Sequence, residues 1–185
     1  MRTTWRWPRD HDEGDLIVSE MDEVIPALVA AVQEQHATGD HYRDDAIRQA
    51  MEHQAQLALR PGPVRVDVIV DPPWSDGQIN SVQVVTGDRP FLVDTVASCL
   101  LRHGWRVEDV RHPIIGVKRD RGTIEAVGMP GRGGCASESW IHIDATAPLG
   151  TDIGQAAEQL RDDLCACLDQ VVCATDDWGA MHEAM

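Results

Sequence analysis

The 185-residue chain has few cations, few aromatic rings and no long apolar run. Lysine and arginine total 16 against 31 Asp and Glu, and Lys118 is the single lysine, so we expect no nucleic-acid partner. No stretch reaches the roughly 20 apolar residues that span a bilayer, and residues 1–8 lack the apolar centre of a signal peptide. The composition therefore predicts a cytoplasmic protein with no membrane contact.

The five cysteines form no pattern typical of a metal site or a disulfide framework. Their number is odd, and Cys165 and Cys167 lie two apart on a predicted helix, where side chains diverge. No second Cys or His pair completes a zinc site.

The glycine cluster at 131–134 matches neither a dinucleotide fingerprint nor a P-loop. We expect reduced, inert thiols and no metal or cofactor in these residues.

Apolar spacing predicts helices at 22–36, 42–59, 90–103 and 152–173, the first two forming a hairpin that stops before Pro61. Alternating residues predict strands at 64–70, 79–86, 107–118, 123–127 and 138–145. The third strand should break at His112-Pro113, because proline removes a ladder donor. This order predicts an α+β fold of the split βαβ, ferredoxin-like kind: a largely antiparallel sheet with helices on one face, preceded by the N-terminal helical hairpin.

The same pattern divides the chain into four segments. Residues 1–15 read as a loose arm whose Trp5 and Trp7 have no assigned role, residues 16–60 as the hairpin, residues 64–175 as the α+β domain, and residues 176–185 as the start of a linker.

The strand-to-helix switch at residues 82–96 is the first candidate binding site. Its turn would expose free N–H groups at a helix start beside a strand end, which suits a carboxylate. The alternative is structural, with Asp88 as the helix cap, Pro90 as the first helical residue and Asp94 as a first-turn carboxylate. The candidate effector or contact residues are Gly87, Asp88, Arg89, Pro90, Phe91, Leu92 and Asp94.

Two histidines are the better candidates for acid–base chemistry. His112 precedes a proline in the predicted sheet, and His142 lies two residues from Asp144 on a strand. Alternation places Trp140, His142 and Asp144 on the face opposite Ile141 and Ile143. A small enzyme built on His112, His142 and Asp144 is one hypothesis. The other is that both histidines are hydrogen-bonded structural residues.

Four blocks, in this order, resemble the amino-terminal region of the large bacterial NAD-specific glutamate dehydrogenases. They are Gly87-Asp-Arg-Pro-Phe-Leu-Val-Asp-Thr95, His112-Pro-Ile-Ile-Gly-Val-Lys-Arg-Asp120, Glu138-Ser-Trp-Ile-His-Ile-Asp144 and Asp177-Trp178. The resemblance implies an ACT-like domain of the type called ACT1. It also implies structural roles for His112, Pro113, Glu138, Trp140, His142, Asp144 and Trp178. Arg89 and Thr95 replace the family's usual Met and Ser.

That family oxidatively deaminates glutamate to 2-oxoglutarate with NAD, in a catalytic part that lies downstream. The resemblance therefore implies a non-catalytic regulatory or scaffolding fragment without its own cofactor. Expected partners are the downstream domains, a second copy in a homo-oligomer and, as a candidate, an amino-acid effector. The alternatives are a free-standing amino-acid sensor and the small enzyme described above.

ACT domains commonly carry a glycine at the turn where they bind amino acids, and this chain has Phe91 there. We expect the ring to fill the ligand's space and to prevent saturable amino-acid binding. On this hypothesis Phe91→Gly opens the turn but destabilises the helix start.

Overall fold

The computed structural model describes residues 16–17, 21–35, 44–75 and 77–183. The arm predicted at residues 1–15, with Trp5 and Trp7, lies outside these ranges. The helices are α1 (Met21–Gln35), α2 (Asp44–Ala58), α3 (Leu92–Arg102) and α4 (Ile153–Glu183). The strands are β1 (Leu16–Ile17), β2 (Val64–Ile69), β3 (Asn80–Gly87), β4 (Arg106–Arg111), β5 (Ile114–Asp120), β6 (Thr123–Gly128) and β7 (Ala136–Thr146). Residues 176–183, expected at the start of a linker, continue α4.

The described strands form one seven-stranded antiparallel sheet in the order β1-β6-β5-β7-β3-β2, with β4 also pairing with β7. Strand β4 pairs with residues 142–146 of β7, and β5 pairs with residues 136–139. The two are successive halves of one side of β7, separated at His112-Pro113 as predicted. The Trp140 N–H donates to the Pro113 carbonyl at 3.0 Å and so bridges the break.

The topology contains the predicted split βαβ unit. Strands β3 and β5 are both antiparallel to β7, which lies between them, so β3 and β5 are parallel to each other and are connected through α3. Helices α3 and α4 pack together on one face of the sheet, over Val84, Ile141 and Ile143. This confirms the α+β prediction and the placement of those two helices.

The N-terminal hairpin covers the other face. Residues of α1 and α2 form one core with Val85, Ile115 and Trp140. The sequence did not assign the hairpin to a face, and its position makes the molecule a three-layer structure. Because both faces of β7 are covered, eight consecutive residues of that strand, 138–145, are buried.

Candidate functional site

The turn before α3 differs from the predicted cap. Helix α3 begins at Leu92 and not at Pro90, and its N-cap residue is Phe91, with φ 71° in the left-handed region. Within the described residues no side chain caps this helix start, so the prediction that Asp88 caps it is wrong. The first helical bond runs from the Thr95 N–H to the Phe91 carbonyl at 3.0 Å. Phe91, in the left-handed conformation, is the last residue of the turn. Asp88 precedes the first helical residue, Leu92, by four positions, which is too far to act as the cap.

Asp88 instead ties the turn to β7. Its carboxylate Oδ1 accepts a hydrogen bond from the Ser139 hydroxyl at 2.6 Å, and its backbone N–H donates to the Ser137 carbonyl at 2.8 Å. Strand β3 therefore passes into the turn while still hydrogen-bonded to its neighbour. The turn is held from the sheet side by Asp88.

Phe91 lies at the surface of the turn, and its expected role in filling a ligand's space stays a prediction. The residue is 65% exposed. Its backbone has the conformation that glycine adopts without cost, whereas an L side chain there is strained. Sequence reasoning missed this conformation because phenylalanine is a residue that avoids positive φ. Phe91→Gly should therefore relieve backbone strain, which reverses the predicted destabilisation.

Arg89 fastens the same turn to α4. Its Nη1 donates to the Val172 carbonyl at 3.2 Å, to the Thr175 hydroxyl at 3.0 Å and to Asp176 Oδ1 at 3.1 Å. The guanidinium group is thus hydrogen-bonded to oxygen atoms of the protein itself. The remaining members of the turn are Leu92, which is buried in the core, and Asp94, an exposed carboxylate in the first turn of α3, as predicted.

His112 belongs to a hydrogen-bonded chain that also includes Ser139 and Asp88. His112 Nε2 lies 3.0 Å from the Ser139 hydroxyl oxygen, and that hydroxyl donates to Asp88. In a catalytic triad the histidine lies between serine and carboxylate and removes the serine proton. Here the serine is in the middle and its hydroxyl donates a hydrogen bond to the carboxylate and not to the histidine, so the histidine is not placed to activate it as a nucleophile. Burial lowers the pKa of His112, and the charge of Asp88 opposes that shift.

His142 lies at the centre of a buried polar cluster beneath α2. Its Nε2 is 3.1 Å from Asp144 Oδ1 and 3.2 Å from the Ser81 hydroxyl, and its Nδ1 is 3.2 Å from Gln83 Nε2. The Gln83 amide nitrogen also donates to the Ala50 carbonyl at 2.9 Å, which fixes the amide orientation. The His142 Nδ1 is therefore the acceptor, and the ring proton is on Nε2, facing the carboxylate.

This cluster is satisfied by groups of the protein itself. Burial lowers the pKa of His142, with the hydrogen bond to Asp144 opposing the shift, so the neutral ring is favoured. Arg111 forms an ion pair with Asp144, and Gln83 Oε1 contacts His53 Nδ1 of α2 at 2.8 Å. The cluster joins the hairpin to the sheet.

The three residues of the small-enzyme hypothesis are not brought to one site. Ser139, the partner of His112, is two residues from Ile141 on β7 and therefore lies on the same face, which α3 and α4 cover. His142 and Asp144 lie on the same face of β7 as Trp140, as predicted, and in the structure the hairpin covers this face. The sheet separates the two histidines.

Glu138, a residue of the family blocks, forms a buried ion pair that sequence reasoning missed. Arg119 Nε and Nη2 donate to its two carboxylate oxygens at 2.6 and 3.0 Å. The same Nη2 donates to the Ala58 carbonyl at 3.0 Å, at the end of α2. Burial, followed by the charge of Arg119, lowers the pKa of the neighbouring Arg65. The Glu138–Arg119 pair thus anchors the hairpin at its C-terminal end.

The two tryptophans of the family blocks differ in what the structure describes. Trp140 is fully buried, whereas the Trp178 side chain lies outside the described part.

A cleft of about 410 Å³ opens between the hairpin and the β2–β3 connection. The His53 and Trp74 rings stand 5.4 Å apart at its wall. Its lining residues are Ile25, Gln49, Glu52, His53, Gln56, Pro73 and Trp74.

Across the described ranges, no group of three or more His, Cys, Asp or Glu is placed to hold a metal ion. Among the described helices, none is long and apolar enough to cross a membrane.

The split βαβ sheet, with its strand-to-helix turn held to β7 and α4, defines an ACT-like α+β domain. The family model described as glutamate dehydrogenase, ACT1 domain, matches residues 27–164. The chain belongs to this family, which confirms the resemblance to the ACT1 domain. No curated protein matches the sequence.

Proposed function

We propose that the chain is a non-catalytic regulatory or scaffolding domain of a bacterial, cytoplasmic, NAD-specific glutamate dehydrogenase. The parent reaction is L-glutamate, NAD and water to 2-oxoglutarate, ammonium and NADH. The main support for the proposal is that the sheet separates the two histidines that are candidates for acid–base chemistry. His112 and His142 lie on opposite faces; His112 Nε2 contacts the Ser139 hydroxyl, and both ring nitrogens of His142 have partners within the protein. In the parent, NAD binding and catalysis belong to the downstream part.

Exposed apolar side chains support a scaffolding role. Phe91 and Leu101, at the start and near the end of α3, are each 65% exposed, and Leu149, between β7 and α4, is fully exposed. A partner that covered these side chains would remove apolar surface from water, which favours association. The proposed partners are the downstream domains of the enzyme and a second copy of the chain.

Two measurements test the role. The purified chain, mixed with glutamate and NAD, should produce no NADH above a buffer control, and NADH formation would contradict the proposal. In the full-length enzyme, deletion of this domain should change assembly or the response to amino acids. A deletion that alters neither would remove the regulatory and scaffolding roles.

A second candidate is amino-acid sensing at the turn of residues 87–92. It is favoured by the start of α3, where within the described residues the first N–H groups receive no side-chain cap. Such groups attract a carboxylate. The sensing role is opposed by Arg89, because its guanidinium group is already hydrogen-bonded to α4. Titration calorimetry with glutamate, aspartate and the other common amino acids separates the two. Saturable micromolar binding would favour the sensor.

A further inference from the structure

Helices α3 and α4 bring two cysteines together that are far apart in the sequence. Cys99 lies in α3 and Cys167 in α4, and both sulfurs lie within 3.5 Å of the same side-chain nitrogen of Arg102. One turn further along α3, His103 Nε2 lies 2.8 Å from Asp163 Oδ2, which is one turn earlier along α4. The helices therefore run antiparallel, with Cys99 facing Cys167.

A guanidinium group bridges the two sulfurs. Arg102 Nη2 lies 3.5 Å from Cys99 Sγ and 3.4 Å from Cys167 Sγ. The two sulfurs thus share one donor and lie on the same side of the helix pair. A positive charge beside a thiol stabilises the thiolate, which is the form that reacts with oxidants.

The two thiols differ in their access to solvent. Cys99 is 1% exposed, whereas Cys167 is only partly buried. Burial raises the pKa of Cys99, and the neighbouring Cys167 adds to the shift while Arg102 opposes it. An oxidant therefore meets Cys167 first, and Cys99 remains as the protonated second thiol behind it.

We propose that Cys99 and Cys167 form a reversible intramolecular disulfide when the chain reacts with hydrogen peroxide. The Cys167 thiolate attacks the peroxide oxygen, the O–O bond breaks, and Cys167 becomes a sulfenic acid while hydroxide leaves. The Cys99 sulfur then attacks the Cys167 sulfur, the S–O bond breaks, and water leaves with the thiol proton. Both cysteines are oxidised and the peroxide is reduced.

The disulfide would covalently join the two helices that the strand-to-helix turn also connects. Arg89 ties the start of α3 to the distal part of α4, and the bond would add a second link near the end of α3. All five cysteines lie in the described part and are free thiols there, so the bond would be added to the fold described above. Oxidation would restrict movement of α3 against α4.

The test treats the purified 185-residue chain with hydrogen peroxide and then blocks remaining thiols with an alkylating agent. Mass spectrometry should show a monomer with one pair of thiols protected from alkylation, and a digest should contain a peptide joining Cys99 to Cys167. Dithiothreitol should reverse the change. Cys167→Ser should abolish it, whereas Cys165→Ser should retain it, being a control on the same helix at similar exposure.

Three outcomes would overturn the proposal. They are a disulfide joining a different pair of cysteines, a bond between chains in place of the internal one, and accumulation of sulfinic acid at Cys167 with no disulfide. Because Cys99 is buried and its replacement could unfold the chain, the test depends on Cys167→Ser, with circular dichroism confirming that this variant is folded.

Discussion

The left-handed backbone at Phe91 gives a sharp test of the turn that begins α3. We compare Phe91→Gly with Phe91→Ala, which remove the same exposed ring and differ only in a Cβ atom. At φ 71° an L side chain costs roughly 1–2 kcal/mol, and glycine avoids this cost. Glycine's greater freedom in the unfolded chain offsets roughly 0.5–1 kcal/mol of that gain. Phe91→Gly should therefore be more stable than Phe91→Ala by about 1 kcal/mol.

The matched control is Ser98, an exposed residue inside α3. There the order reverses, because alanine favours a helix interior over glycine by about 1 kcal/mol. Urea unfolding of the four variants, with equal m values, gives both differences. If Phe91→Ala is as stable as Phe91→Gly or more so, the turn does not have the left-handed conformation and the reasoning fails.

Three further predictions concern the sheet. Gly116→Ala should destabilise by roughly 1–3 kcal/mol, measured by urea unfolding, because its Cβ would lie 2.5 Å from backbone atoms of Met129. Arg119→Met should cost roughly 3–5 kcal/mol, again measured by urea unfolding, since it removes the hydrogen-bonded partner of the buried Glu138 carboxylate. Because burial lowers the pKa of His142 below its usual 6.5, the unfolded chain binds the proton more tightly, and stability should fall as the pH drops below about 6.5. His142→Gln should make urea midpoints between pH 7 and 5 less pH-dependent, and an unchanged slope would contradict this.

Local patterns predicted much of the sheet. The alternation at 138–145 correctly separated Trp140, His142 and Asp144 from Ile141 and Ile143, because side chains of a strand alternate between faces whatever the tertiary context. The break at Pro113 followed equally from local chemistry, since proline has no N–H to donate.

What the sequence could not predict depends on contacts between distant residues. Arg89 meets Val172 across a separation of 83 residues, and no local pattern in either segment marks the pairing. The face occupied by the hairpin is likewise set by packing against the whole sheet. At Phe91 the tertiary structure imposes a backbone conformation that the residue type disfavours, so propensity pointed to the wrong helix start.

The most direct test of the central claim is reconstitution in trans of the proposed parent enzyme. The catalytic part is expressed without residues 1–185, the purified chain is added, and the molar mass of the mixture is measured by light scattering. The account predicts a stoichiometric complex that Leu101→Asp weakens and the control Ser98→Asp does not, because Leu101 is the exposed apolar residue of α3. Two components that remain separate at all concentrations would contradict the claim that this chain is a scaffolding domain of that enzyme.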